Sequence, residues 1–301
     1  MMSLINALPG AVAQGLIWGI MAIGVYLTFR ILDIADLTVD GSLGTGGAVC
    51  IMLMLSGQNV WVAMAGATAA GMAAGLATGI LHTFMGIPAI LAGILTQLGL
   101  YSINLKTMGK ANQAINVDKY DLLVSLRFIR KVPFYRNTIL MVAITFIILI
   151  AVLYWFFGTE LGCSLRATGC NDKMARAQGI NTDLSRVLGL MISNGLVALS
   201  GAMLCQYQGF ADINMGRGAI VIGLAAVIIG EAIFGKVFRN FGFKLLAVAL
   251  GSIIYYLVLQ VVIWLGIDTD LLKLLSAGVV AVFLAIPTWK SRYFSNMGKR
   301  G

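Results

Sequence analysis

Residues 138–157, TILMVAITFIILIAVLYWFF, run for 20 positions without one charged side chain. A helix of that length reaches about 30 Å, the thickness of a bilayer's hydrocarbon core. Within lipid every backbone polar group must be satisfied inside the protein, so only helices and closed barrels cross. Comparable stretches recur at 11–29, 34–56, 60–81, 87–107, 184–206, 217–235, 243–266 and 271–289. No ten-residue alternating strands accompany them, which excludes an outer-membrane barrel. The expected fold is an all-α, polytopic transmembrane bundle of nine spans in a single domain, 1–301. Composition agrees: 59% of residues are hydrophobic and 11% charged, against about 25% charged in soluble domains. The mean hydropathy is +0.93. The first span lacks a small-residue cleavage pattern before Arg30 and reads as retained.

The net charge of +9 fits basic residues flanking spans, the ordinary orientation signal, better than nucleic-acid binding. Nine spans put the termini on opposite sides, and Lys290, Arg292, Lys299 and Arg300 mark the C-terminus as cytoplasmic. The loops holding Arg30, 159–183 and 234–244 are then inside. The loop 108–137, with Lys110, Lys119, Arg127, Arg130, Lys131 and Arg136, falls outside against the charge rule, which weighs short loops more than long ones. Cys50, Cys163, Cys170 and Cys205 are scattered without a CxxC pair, so neither a metal site nor a disulfide framework is expected. His82, at a cytoplasmic span end, reads as a solvated interface residue.

The segment GEAIFGKV (230–237) has the spacing of a phosphate-binding loop, but Val237 stands where a Ser or Thr must hold Mg²⁺. The chain is thus expected to bind no nucleotide or cofactor, and no pairing of nucleophile with base suggests an enzyme. DLTVDGSLGTGGAV (36–49) brings Asp36, Thr38, Asp40, Ser42 and Thr45 to the start of a span among four glycines. Each glycine costs up to about 1 kcal/mol in a helix. Two readings follow: an irregular, cavity-lining backbone, or a polar loop at the interface with glycines that let helices pack. ADLTV (35–39) recurs as ADINM (211–215) across an odd number of crossings. Inverted repeats have that property and line transport paths with broken helices, which adds Asn214 to the pathway candidates. Thr96, Gln97 and Asn194 offer mid-span hydrogen-bonding groups that face either a pathway or another helix. Glu231 is a carboxylate in an apolar run, a functional candidate by its cost or an interfacial partner of Lys236. Gly71, Gly75 and Gly79, four residues apart, form a packing seam.

Between two uncharged spans lies LRATGCNDKMARAQGIN (165–181). Asn171 suits an N-cap, Asp172 the first turn and Gly179 a C-terminal stop, so a short helix is expected at 172–178. It would show Met174 and Ala175, with Lys173 and Arg176 around them. So short a helix is unstable alone and makes sense docked into a partner. A membrane protein with no nucleotide site and a docking helix inside suggests a separate cytoplasmic motor.

Here the chain resembles the permease subunit of an ATP-binding-cassette importer of the branched-chain amino acid and ribose type. GCSLRATGCNDKMARAQGIN (162–181) is similar to that family's cytoplasmic coupling segment. ADLTVDGS (35–42), GLYSINL (99–105), ALSGAMLCQYQGFAD (198–212) and GLAAVIIGEAIFG (223–235) fit a subgroup linked to amino-acid and uncharacterised substrates. The resemblance covers nearly the whole chain. Cys170 departs from it, standing where the family commonly has an acidic or polar residue. The resemblance implies a permease homodimer in the cell membrane, two cytoplasmic ATPases, an extracytoplasmic solute-binding protein and a small polar organic solute. Arg166, Ala167, Thr168, Gly169, Asn171, Met174, Ala175, Arg176 and Gly179 would couple to the ATPase, and 108–137 would receive the binding protein. The alternative is an ion-coupled secondary transporter, for which Asp40 and Glu231 are the available carboxylates.

Overall fold

A computed structural model describes residues 2–116, 120, 122–129, 137–235, 237–238, 240–265 and scattered positions within 271–285. The chain is built around α8, Thr182–Gln208, whose 27 residues make a rod about 40 Å long. Side chains spaced by seven on α8 fasten it to α1, Met2–Tyr26. Ser193 Oγ donates to the Gly24 carbonyl at 2.7 Å, Ser200 Oγ to Ile17 at 2.7 Å and Tyr207 Oη to Gly10 at 3.2 Å. The falling partner numbers make the helices antiparallel. α1 ends in a π-helical turn, Leu27–Ile31.

On the other side of α8 lies α3, Val60–Thr83. Added Cβ atoms at Gly71, Gly75 and Gly79 would meet Asn194 and Ala198, Leu190 and Val187 respectively, so the expected seam is there and faces α8. α4, Ala89–Met108, and α5, Thr138–Phe156, keep wide apolar faces exposed. α10, Phe241–Trp264, packs on α1, with Ser252 Oγ donating to the Gly15 carbonyl at 2.5 Å.

The third neighbour of α8 is α2, Thr38–Leu55, which runs parallel to it. All four clustered glycines lie inside this unbroken helix and are buried. The glycines serve the close packing of the second reading of 36–49, but not its interfacial loop, since Asp36, Thr38 and Ser42 are buried. A Cβ at Gly46 would collide with the Ala198 carbonyl, and one at Gly201 with that of Leu43. The irregular backbone precedes the helix, at 32–37, where Asp33 takes φ +56°.

Seven described helices have the length and apolarity to cross a membrane. The expected span at 217–235 is a correction: α9, Ala219–Phe234, has 16 residues, about 24 Å and short of a full crossing. Its reason is where α9 starts, taken up below. The ninth span, 271–289, falls largely outside the described residues. Two short strands, β1 (Asn112–Ala114) and β2 (Phe210–Asp212), pair antiparallel. They fix the loops after α4 and α8 to one end of the bundle.

The 159–183 segment holds a helix not expected from sequence: α6, Glu160–Cys170, precedes α7, Asp172–Ala177. Glycines 162 and 169 disguised it. In the fold both sit against backbone, Gly162 against Phe156 and Phe157, and Gly169 against Ile31 and Leu32.

Candidate functional site

The polar residues of the spans fall into separate places. Asp36, 2% exposed, accepts the Thr38 N–H at 2.9 Å and the Asn194 side-chain amide at 2.7 Å. The Asn194 carbonyl oxygen accepts from Ser42 Oγ at 2.6 Å, and its nitrogen also reaches Leu190 O at 3.0 Å. The Thr38 and Thr78 hydroxyls lie 2.7 Å apart; Thr78 donates to Thr96 at 2.9 Å, and Thr96 to the Ala92 carbonyl at 3.0 Å. Five of the pathway candidates, Asp36, Thr38, Ser42, Thr96 and Asn194, thus form one buried network across α2, α3, α4 and α8. Their groups are spent on one another. Buried polar groups without partners would each cost roughly 1–3 kcal/mol, so this closure fixes how the four helices meet.

Asp40 points elsewhere. Its Oδ2 accepts the Gly218 N–H at 2.9 Å and its Oδ1 that of Ile220 at 3.0 Å. The carboxylate therefore caps α9 at the positive end of its dipole. Asp40 lies one turn above the Asp36–Asn194 contact, near the midpoint of α8, and α9 begins there. From that level α2 runs toward the strand end of the bundle. α9 runs the opposite way, until Glu231 meets Arg30 beyond α1.

This is the geometry the ADLTV/ADINM echo implied. Each copy precedes a helix starting at mid-depth, and the two helices run in opposite senses. The same local bond recurs: Thr38 N–H donates to Asp36 Oδ1 at 2.9 Å, and Asn214 N–H to Asp212 Oδ1 at 2.7 Å. Asn214 itself is exposed in the turn after β2, outside the buried network.

Beside the junction is a cavity of about 360 Å³, lined by Asp40, Gln97, Tyr101, Asn104, Arg217 and apolar neighbours. Of the sequence candidates only Asp40 and Gln97 reach it. Tyr101, Asn104 and Arg217 were missed. A signal existed for two of them: Gln97, Tyr101 and Asn104 are spaced by four and three, one face of a helix.

Glu231 lies at the far end, its Oε1 3.1 Å from Arg30 Nε. Lys236, its expected partner, is outside the described residues. Tyr26, Arg30, Arg166, Cys170, Glu231 and Lys244 border a second cavity there, of about 290 Å³. Arg166 also lies 5.7 Å from the Phe241 ring centre. His82, half-buried at the end of α3, sits with Nδ1 2.9 Å from the Ile87 carbonyl.

At the same end α7 has the expected caps. Asn171 Oδ1 accepts the Met174 N–H at 3.0 Å, and Gly179 takes φ +83° while the Ile180 N–H bonds to Ala175 O at 3.0 Å. Arg176 lies 2.8 Å from Asp183 and 3.5 Å from Asp172, and Arg186 3.3 Å from Asp172. One exposed pair contributes little, up to about 1 kcal/mol, but the four residues form a network tying α7 to the start of α8. The expected outward face is corrected at one position. Met174 is 52% exposed but Ala175 is fully buried, because Ala175 is the contact that seats the helix. Thr168 is also buried, donating to Ser164 O at 2.8 Å. Lys173, Met174, Arg176 and Ala177 are what a partner would meet.

A multi-pass helical bundle in which two helices, α2 and the short α9, start side by side and run in opposite senses fits a membrane transporter. The family described as the branched-chain amino acid transport system permease component matches residues 8–290, and the chain belongs to it. It is 39% identical over 283 residues to a tyrosine transport system permease protein of Clostridioides difficile, covering 93% of this chain and 91% of that one. An uncharacterized protein of Rickettsia prowazekii is 36% identical over 93% of this chain and 97% of its own. The autoinducer 2 import system permease protein LsrC of Yersinia pestis is 30% identical over 214 residues, 70% of this chain and 58% of LsrC. No solved structure matches. The chain is therefore a transport permease of an ATP-binding-cassette importer, not an enzyme. That family membership speaks for the ATP-driven reading over the ion-coupled alternative.

Proposed function

We propose that this chain is the membrane subunit of an ATP-driven importer for an amino acid, assembled as a homodimer. A cytoplasmic ATPase docks on α6 and α7 of each copy, and an extracytoplasmic solute-binding protein covers the strand end. The C-terminus is then cytoplasmic. The observation that carries the coupling role is α7 itself. Six residues cannot hold a helix alone, yet here the segment is capped at both ends, seated by Ala175 and tied to α8 by ion pairs. Such a rigid lever on the helix at the centre of the bundle passes a push to the Asp36–Asn194 network. The similarity to a tyrosine permease supports an amino acid as solute. Asp40 and Gln97 line the path, while the buried network positions it. Of the expected outer platform, Lys110 lies in a described segment; Lys119, Arg130, Lys131 and Arg136 lie outside the described residues.

The test is Ala175→Pro in the complex with its ATPase. Proline removes the Ala175 N–H bond to Asn171 O and breaks the helix. Transport and solute-stimulated ATP hydrolysis are expected to fall together, while the binding protein keeps its affinity. Wild-type transport by this variant would make α7 an ordinary loop.

A further inference from the structure

The 360 Å³ cavity where α2 meets the start of α9 carries more chemistry than a gap between helices requires. Its size falls within the roughly 300–1,000 Å³ of small-ligand pockets. Asn104 is 3% exposed, borders the cavity, and its side-chain amide has no hydrogen-bond partner among the described residues. That amide opens onto the cavity and is left free to donate to or accept from a ligand there. Gln97 and Arg217, which also line it, lack side-chain partners among the described residues too.

The charges complete the pattern. Among the lining residues one is a carboxylate, Asp40, and one a guanidinium, Arg217. Arginine presents a planar fork that fits a carboxylate. The Asp40 carboxylate accepts backbone N–H groups from Gly218, Ala219 and Ile220 and, with about four lone-pair sites, keeps capacity for an ammonium. The Gln97 and Asn104 amides share the lining with them, and Leu98 and Tyr101 offer apolar and aromatic surface. We propose that this cavity recognises the zwitterion of an α-amino acid in transit: Arg217 takes its carboxylate, Asp40 its ammonium, Asn104 and Gln97 the polar remainder, and Tyr101 its side chain. This rests on the transport reading above and adds the place in the fold and the residues that select the solute. Because Asp40 also caps α9, a solute bound there touches the point where α2 and α9 meet.

A thiol reporter tests it. Cys163 and Cys170, the exposed cysteines, are replaced by Ser, and Leu98→Cys is introduced on the cavity wall in the complex reconstituted with its ATPase. Millimolar L-tyrosine is expected to slow labelling by an aqueous thiol reagent about tenfold, equivalent to ~1.4 kcal/mol. Tyramine, which lacks the carboxylate, and 3-(4-hydroxyphenyl)propionate, which lacks the amine, should not. Arg217→Gln should abolish the protection; because Arg217 is exposed, it tests the site even if Asp40→Asn fails to fold by losing the α9 cap. No protection by L-tyrosine, or equal protection by all three compounds, overturns the proposal. Uptake of L-tyrosine by the unaltered complex is measured alongside. Uptake without protection sinks the site and leaves the transport reading standing, whereas protection without ATP-dependent uptake sinks the transport reading and leaves the site.

Discussion

Asp40 and Ser42 are two positions apart and face different worlds. At about 100° per residue, two steps turn a side chain to nearly the opposite side of the helix. Asp40 thus reaches the cavity and α9 while Ser42 is fully buried against Asn194. The sequence showed both as polar groups at the start of a span, but not which face met which helix, because no apolar periodicity marks a helix buried on most sides. Cysteine at Gln97 should therefore react with an aqueous thiol reagent, and cysteine at Ser42 should not. Reaction at both positions would mean that the α2–α8 contact opens to water. Asn194 is the keystone of the network. Asn194→Leu strands the Asp36 carboxylate and the Ser42 hydroxyl together, at roughly 1–3 kcal/mol per neutral group and more for a charged one. A clear drop in thermal midpoint in detergent is expected; an unchanged midpoint would show the network to be dispensable.

Among elements, the long spans were the most legible, because 20 apolar residues in a row have few other fates. The short elements were less so. α6 hid behind glycines that allow backbone contact, and α9 looked like a span because its apolar run gives no hint of the depth at which it begins. That depth is set by Asp40, 178 positions upstream of Gly218. The glycines of α2 make the same point in energetic terms. Each weakens the helix by up to about 1 kcal/mol, a loss offset only where another backbone comes close. Gly46 meets Ala198, whereas Gly99 of α4 has nothing within 4 Å of an added Cβ. Gly46→Ala should lower the thermal midpoint and Gly99→Ala should hold or raise it. The reverse order would refute the α2–α8 packing.

At the scale of the whole molecule, the opposed α2 and α9 give the permease a centre that helices from both ends share. The five-residue echo is a thin signal, and the fold sets beside it the same local bond from residue i+2 to the aspartate in both copies. The positive-inside reading depended on terminal and loop charges that lie partly outside the described residues. The strand pairing of 112–114 with 210–212 ties two loops to one side independently of charge. Cysteine introduced at Lys110 should be labelled by an impermeant reagent on intact cells, and native Cys170 only after the membrane is opened; labelling in the opposite order would invert the orientation.

The central claim is that the chain moves an amino acid with energy from a partner ATPase. Its most direct test is uptake of radiolabelled L-tyrosine into proteoliposomes holding the permease, its ATPase and the binding protein, with ATP supplied on the ATPase side. The account predicts uptake that requires hydrolysable ATP, fails with Ala175→Pro and persists when ionophores dissipate every ion gradient. Uptake that proceeds without ATP and collapses with the ionophores would contradict it.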